Sequence, residues 1–244
     1  MYKFGEKHPV IFEIILIILS FLAAAVFVAA GSIFNIHLDL CSSVGRILVG
    51  AFLALLYRRA FTGVRTGENY MILLPALLFA AWNLFYNLSL GMEFGGPAYF
   101  IEAAITAAAP AVFEEVLFRG IFLYNLKKKG SSDLACMLIS SVLFAAVHLT
   151  NIVGMNAVSV GIQFGYSLVI GMVLAAVYLK NRSMLQIIVL HFLIDFMPRI
   201  FVEQAASAST MHLILFGILL AAEAAYAVKL CLPGKQTADA TRQA

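Results

Sequence analysis

The sequence predicts an all-α, polytopic membrane protein of about eight transmembrane helices with both termini in the cytoplasm. Three observations predict it. Of the 244 residues, 63% are hydrophobic and 12% charged, about half the charged share of roughly 25% typical of soluble domains. The apolar residues fall into successive runs near the length of a bilayer span. Lys and Arg collect in every second connection between those runs. No polar stretch is long enough to form a separate soluble unit. Residues 1–244 therefore read as one integral-membrane domain, placed in a cell membrane. The bilayer is an expected partner and nucleic acid is not.

The first element follows a polar start with Lys3 and Lys7. The apolar run from there to Ala30 is about twice a signal-peptide core, so an uncleaved span over 10–31 is expected. The next spans are expected over 38–57, 70–91, 97–126, 133–150, 157–179, 183–201 and 211–232. Arg46 interrupts the second, and Pro110 lies within the long fourth. Arg58, Arg59 and Arg65 follow the second span. Lys127, Lys128 and Lys129 follow the fourth, and Lys180 and Arg182 follow the sixth. Lys229, Lys235 and Arg242 lie at or beyond the end of the eighth. The other connections hold no basic residue except Arg199 at the border of the last. Eight crossings with cytoplasmic termini fit this alternation; one missed span would break it. Cys41, Cys136 and Cys231 are far apart in apolar surroundings and read as small core residues, with no CxxC and no disulfide framework.

Charged groups at membrane depth are costly and need a reason. Here they concentrate on three spans. The fourth carries Glu114, Glu115 and Arg119, the fifth His148 in "FAAVH", and the seventh His191 and Asp195 in "HFLID". Glu13, Arg46, Glu102, His212 and Glu223 are isolated cases, several of them near helix ends. Residues four apart share a helix face. Glu115 and Arg119 can therefore pair along the helix in the favourable acid-first order. Glu114 then points elsewhere. His191 and Asp195 share a face, as do Phe144 and His148, with Phe144 expected as a packed wall. The simplest arrangement turns Glu114, His148, His191 and Asp195 toward one another. Each pair taken alone also suits a structural helix contact. Together they are the ingredients for activating water, and buried ionisable groups also mark ion pathways.

Glu114, Glu115 and Asp195 bring three negative charges and Arg119 one positive. Two uncompensated negatives in a low dielectric call for raised carboxyl pKa values, protonated histidines or a bound divalent cation. His148 and His191 with a carboxylate, Asp195 or Glu114, would suit zinc with one position left for water. The residues do not choose among these remedies, and no HExxH is present.

At these residues the chain resembles the CAAX prenyl protease and bacteriocin-processing family, also called the Abi family. "EEVLFRG" (Glu114–Gly120), "FAAVH" (Phe144–His148) and "HFLID" (His191–Asp195) match its three motifs in order and spacing. The motif core covers about 97–200. The resemblance implies an intramembrane endopeptidase that hydrolyses a peptide bond of a membrane-associated or prenylated peptide or protein, by a metallo- or glutamate-type mechanism. It implies that Glu114 activates the water. His148, His191 and Asp195 would hold the water or a metal and stabilise the oxyanion, with Glu115 and Arg119 in support. Two other readings stand beside it: a non-catalytic scaffold or bacteriocin self-immunity protein, and a proton-coupled transporter, for which paired broken helices and repeats are lacking. One expectation fits poorly. Counted from the basic ends of their spans, His148 and His191 differ in depth by roughly 13 Å at ~1.5 Å per residue.

Overall fold

In lipid a backbone polar group is satisfied within its own helix or not at all, and each apolar run of this chain becomes a helix. The computed structural model describes residues 2–61, 69–202 and 209–232. The basic residues Arg65, Lys235 and Arg242 lie outside the described residues. A short amphipathic start, Tyr2–Lys7 (α1), leads into Pro9–Ile33 (α2) and Leu38–Leu56 (α3). Arg58–Phe61 (α4) follows, and then a 3-10 turn, Tyr70–Leu73, opening Leu74–Ser89 (α5). Pro97–Glu115 (α6) continues through a π-helical stretch, Val116–Phe122, into Leu123–Lys128 (α7). Asp133–Val147 (α8) ends in a 3-10 turn, His148–Val153. Ala157–Asn181 (α9), Met184–Arg199 (α10) and Thr210–Cys231 (α11) complete the chain. Among the described residues there is no strand, only one antiparallel bridge between Phe94 and Phe201.

The helix starts are written locally. Proline at the first position opens α2 and α6, where its missing N–H costs nothing. Ser132, Asn156, Ser183 and Ser209 cap α8, α9, α10 and α11 by accepting a backbone N–H with their side chains. His212 completes a capping box at α11 and also meets Ser89 Oγ at 2.9 Å.

Each of the eight expected spans coincides with one of these helices or helix runs. Six are long and apolar enough to cross a membrane by length and composition. The two that fall short are the run through α6 and α7 and the 16-residue α10. They are the two that carry Glu114, Glu115 and Arg119, and His191 and Asp195. At 16 residues α10 falls short in length, whereas α6 carries Glu102, Glu114 and Glu115 among its 19 residues.

The whole π stretch and the second half of α9, Ile170–Leu179, are buried. The other helices pack around these two: α8 and α11 against α9, α3 and α10 against α6, α5 against α10, and α2 against α3. Outer faces such as Ile14, Ile18 and Leu22 of α2 stay apolar and exposed, as lipid contact requires. Cys136 and Cys231 are buried and Cys41 is half-buried, all free. Glu13 is fully buried rather than turned toward headgroups, and neither carboxylate oxygen has a partner. Glu223 is also buried.

Close approach of α8 and α9 depends on Gly171. A Cβ there would stand 3.2 Å from Phe144 Cδ1 and 3.2 Å from Ser141 Cα. Small residues let membrane helices meet this closely. Gly171→Ala is expected to cost about 1–3 kcal/mol through overpacking, read as a lower unfolding midpoint in detergent. An unchanged midpoint would show that the two helices separate without penalty.

Candidate active site

The site forms where α6, α8 and α10 meet. Helix α10 runs antiparallel to α6. Glu115 meets His191 near one end, and Tyr99 Oη donates to the Phe201 carbonyl at 3.0 Å near the other. The side chain of Asn83 on α5 fixes α10 from behind by donating to the Ile194 carbonyl at 3.0 Å.

Glu115 and Arg119 pair as their spacing predicts, with Arg119 Nη1 donating to Glu115 Oε1 at 2.9 Å and both side chains fully buried. Arg119 Nη2 donates to the Gly171 carbonyl at 3.1 Å. The guanidinium also lies 4.4 Å over the Phe144 ring, a favourable cation–π contact. The second acceptor role of Glu115 was not legible in the sequence. His191 Nδ1 lies 2.7 Å from the same Oε1. A carboxylate already neutralised by arginine accepts, so Nδ1 carries the proton. His191 Nε2 is left facing Glu114, 3.9 Å from its Oε2. That is beyond hydrogen-bond range and close enough for one water to touch both groups.

Glu114, Phe144, His148, His191 and Asp195 all line one cavity of about 770 Å³. The Glu114 side chain is 10% exposed and the Glu115 side chain 0%. The first acid of the pair therefore meets the cavity and the second is sealed behind it.

His148 enters differently from expectation. It ends α8, and its Nδ1 donates to the Phe144 carbonyl at 2.9 Å. Its ring and that of His191 lie 5.1 and 5.8 Å from the Phe144 ring. Both imidazoles line the cavity and both contact Phe144, which is 2% exposed. Both rings spend Nδ1–H on fixed acceptors. The remaining Nε2, which for His191 faces Glu114, is an acceptor when the ring is neutral and a donor when it is protonated.

Asp195 does not add an uncompensated charge. Its Oδ2 lies 3.1 Å from Arg199 Nη1, which also donates to the Asp195 carbonyl at 2.6 Å. The i,i+4 spacing of this pair stands in "DFMPR", where Arg199 reads only as a basic residue at the border of the last connection. Three acids against Arg119 and Arg199 leave one negative charge, which one proton on the cluster balances.

A resident metal would need several ligand atoms converging on one point. Among the described residues, the one group of three or more His, Cys, Asp or Glu with ligand atoms within 4.8 Å of one another is His37, Asp39 and Glu102, all exposed. His148, His191, Asp195 and Glu114 do not converge in this way, so as placed they do not fit a shared ion.

The fold and site together define an integral membrane protein with a carboxylate–arginine–histidine cluster open to an internal cavity. Residues 96–197 match the family model of type II CAAX prenyl endopeptidase Rce1-like proteins, so this segment is similar to that protease family. That segment contains Glu114, Glu115, Arg119, Phe144, His148, His191 and Asp195. No curated protein and no solved structure matches the chain.

Proposed function

We propose that the chain is an intramembrane endopeptidase of the glutamate type, acting on a peptide segment of a membrane-associated or lipidated protein. The observation that carries the proposal is the division of labour within the glutamate pair. Glu115 is sealed between Arg119 and His191, whereas Glu114 meets the cavity with Nε2 of His191 beside it. A peptide enters the cavity and water lies between Glu114 and His191. Glu114 takes one proton from the water, and its oxygen adds to the scissile carbonyl carbon. The protonated His191, held by Glu115, donates Nε2–H to the oxyanion. His148, which lines the same cavity, offers Nε2 to the peptide. The tetrahedral carbon collapses, the C–N bond breaks, and the amine leaves with the proton carried by Glu114. Eight crossings with cytoplasmic termini are part of the proposal, and the antiparallel course of α6 and α10 supports it.

The test is cleavage of a library of acylated peptides by the purified chain in liposomes, read by mass spectrometry. Products are expected, and none under any condition of pH or metal supply would overturn the reading in favour of a scaffold. Exhaustive chelation followed by metal analysis is expected to leave cleavage within about twofold of the untreated rate, since the proposed proton transfers all run through side chains. Activity lost on chelation and restored by stoichiometric zinc would replace the glutamate mechanism with a metal one.

A further inference from the structure

The arrangement above leaves one intramembrane cation without a task. Arg46 lies within the apolar helix α3, is half-buried and lines the same cavity as Glu114. Among the described residues it makes no hydrogen bond, ion pair or ring contact. We propose that Arg46 is a specificity-determining residue that holds a carboxylate of the substrate. The inference rests on the endopeptidase reading of this cavity and deepens it.

Its position follows from the packing of α3 on α6. The two helices run parallel: His37 Nε2 stands 3.7 Å from Glu102 Oε1 near their starts. Further along, a Cβ on Gly50 would lie 3.3 Å from Phe113 Cα. Gly50 and Arg46 are one turn apart on one face of α3. Arg46 therefore sits about 6 Å along the axis from the level of Phe113 and its neighbour Glu114. Its side chain belongs to the stretch of cavity between Glu102 and Glu114.

The chain's own acids do not neutralise it. Glu102 stands beside His37, Glu114 beside His191 at 3.9 Å, and Asp195 is paired with Arg199 at 3.1 Å. An arginine at membrane depth without a partner is expensive unless it meets water or a ligand. Its planar fork matches a carboxylate with two parallel hydrogen bonds. Glu102 and Glu114 line the same cavity and disfavour a negative group beside them, while Asp195 is already paired with Arg199. Selection thus works by attraction at Arg46 and repulsion beside Glu102 and Glu114. The carboxylate comes from a free peptide C-terminus or from an Asp or Glu side chain.

The experiment uses the full chain in detergent, carrying Glu114→Gln so that peptides stay intact. Its probe is a library of acylated random octapeptides in C-terminal carboxylate and C-terminal amide forms, with and without one Glu. Bound peptides are counted by mass spectrometry. Peptides with the carboxylate are expected to be enriched about tenfold over the matched neutral ones, the size of a charge-assisted hydrogen bond to arginine. Adding Arg46→Gln should bring the ratio to about one, while Arg46→Lys keeps part of it because the charge remains. Enrichment of free termini alone, or of internal Glu in amide peptides, supports the proposal and names the source. A ratio near one in the parent, or one untouched by Arg46→Gln, overturns it. Enrichment without any cleavage by the chain with Glu114 intact would remove the peptidase reading and leave the anion site. Cleavage without enrichment would do the reverse.

Discussion

Glu114→Gln is expected to reduce peptide cleavage by about a hundred- to ten-thousandfold, the usual contribution of a positioned general base. The fold should remain. The substitution keeps the side-chain shape, and Glu114 has no short hydrogen bond to lose, its nearest charged neighbour being His191 Nε2 at 3.9 Å. The amide cannot accept the proton of water. Unfolding midpoint and elution volume should match the parent while product formation falls to background. Glu115→Gln makes the control. It should also lower activity, through a misplaced His191, but with a loss of stability that Glu114→Gln lacks. Parent-level cleavage by purified Glu114→Gln protein would exclude this residue as the base.

Arg119→Leu is expected to be the most destabilising single substitution in the site. It removes the positive partner from Glu115, whose side chain is fully buried. It also removes the donor to the Gly171 carbonyl and the cation over Phe144. Breaking one half of a buried ion pair typically costs about 3–5 kcal/mol, because the other charge remains without compensation. Adding Glu115→Leu should recover a large part of that loss, since an apolar pair of similar volume is tolerated where a lone carboxylate is not. A double-mutant cycle on unfolding midpoints measures the coupling. A double variant as unstable as the sum of the single ones would show that the two side chains do not act as a pair.

Much of the fold was legible because lipid simplifies the code. Span length and the alternation of Lys and Arg placed all eight helices within a few residues. Pro9, Pro97, Ser132 and Ser209 mark helix starts by local chemistry alone. The pairing of Glu115 with Arg119 was legible for the same reason, since both partners lie on one helix. What could not be read is what depends on how different helices meet. The sharing of Glu115 Oε1 between Arg119 and His191 depends on the approach of α10 to α6. The acceptor on Gly171 depends on α9, and no local pattern marks it. The π-helical winding over Val116–Phe122 leaves the hydrophobic pattern unchanged, so periodicity is blind to it. Residue counting put the two histidines at different depths, because a count along two helices says nothing of how the helices are offset; both rings line one cavity and contact Phe144.

Phe144 ties the polar cluster to the packing of the helices. Its ring touches the imidazoles of His148 and His191 and the guanidinium of Arg119. It also packs where a Cβ on Gly171 would stand 3.2 Å away. One side chain is thus shared by the α8–α9 interface and the buried charges, so a shift of either helix on the other is passed to the cluster before the chain unfolds.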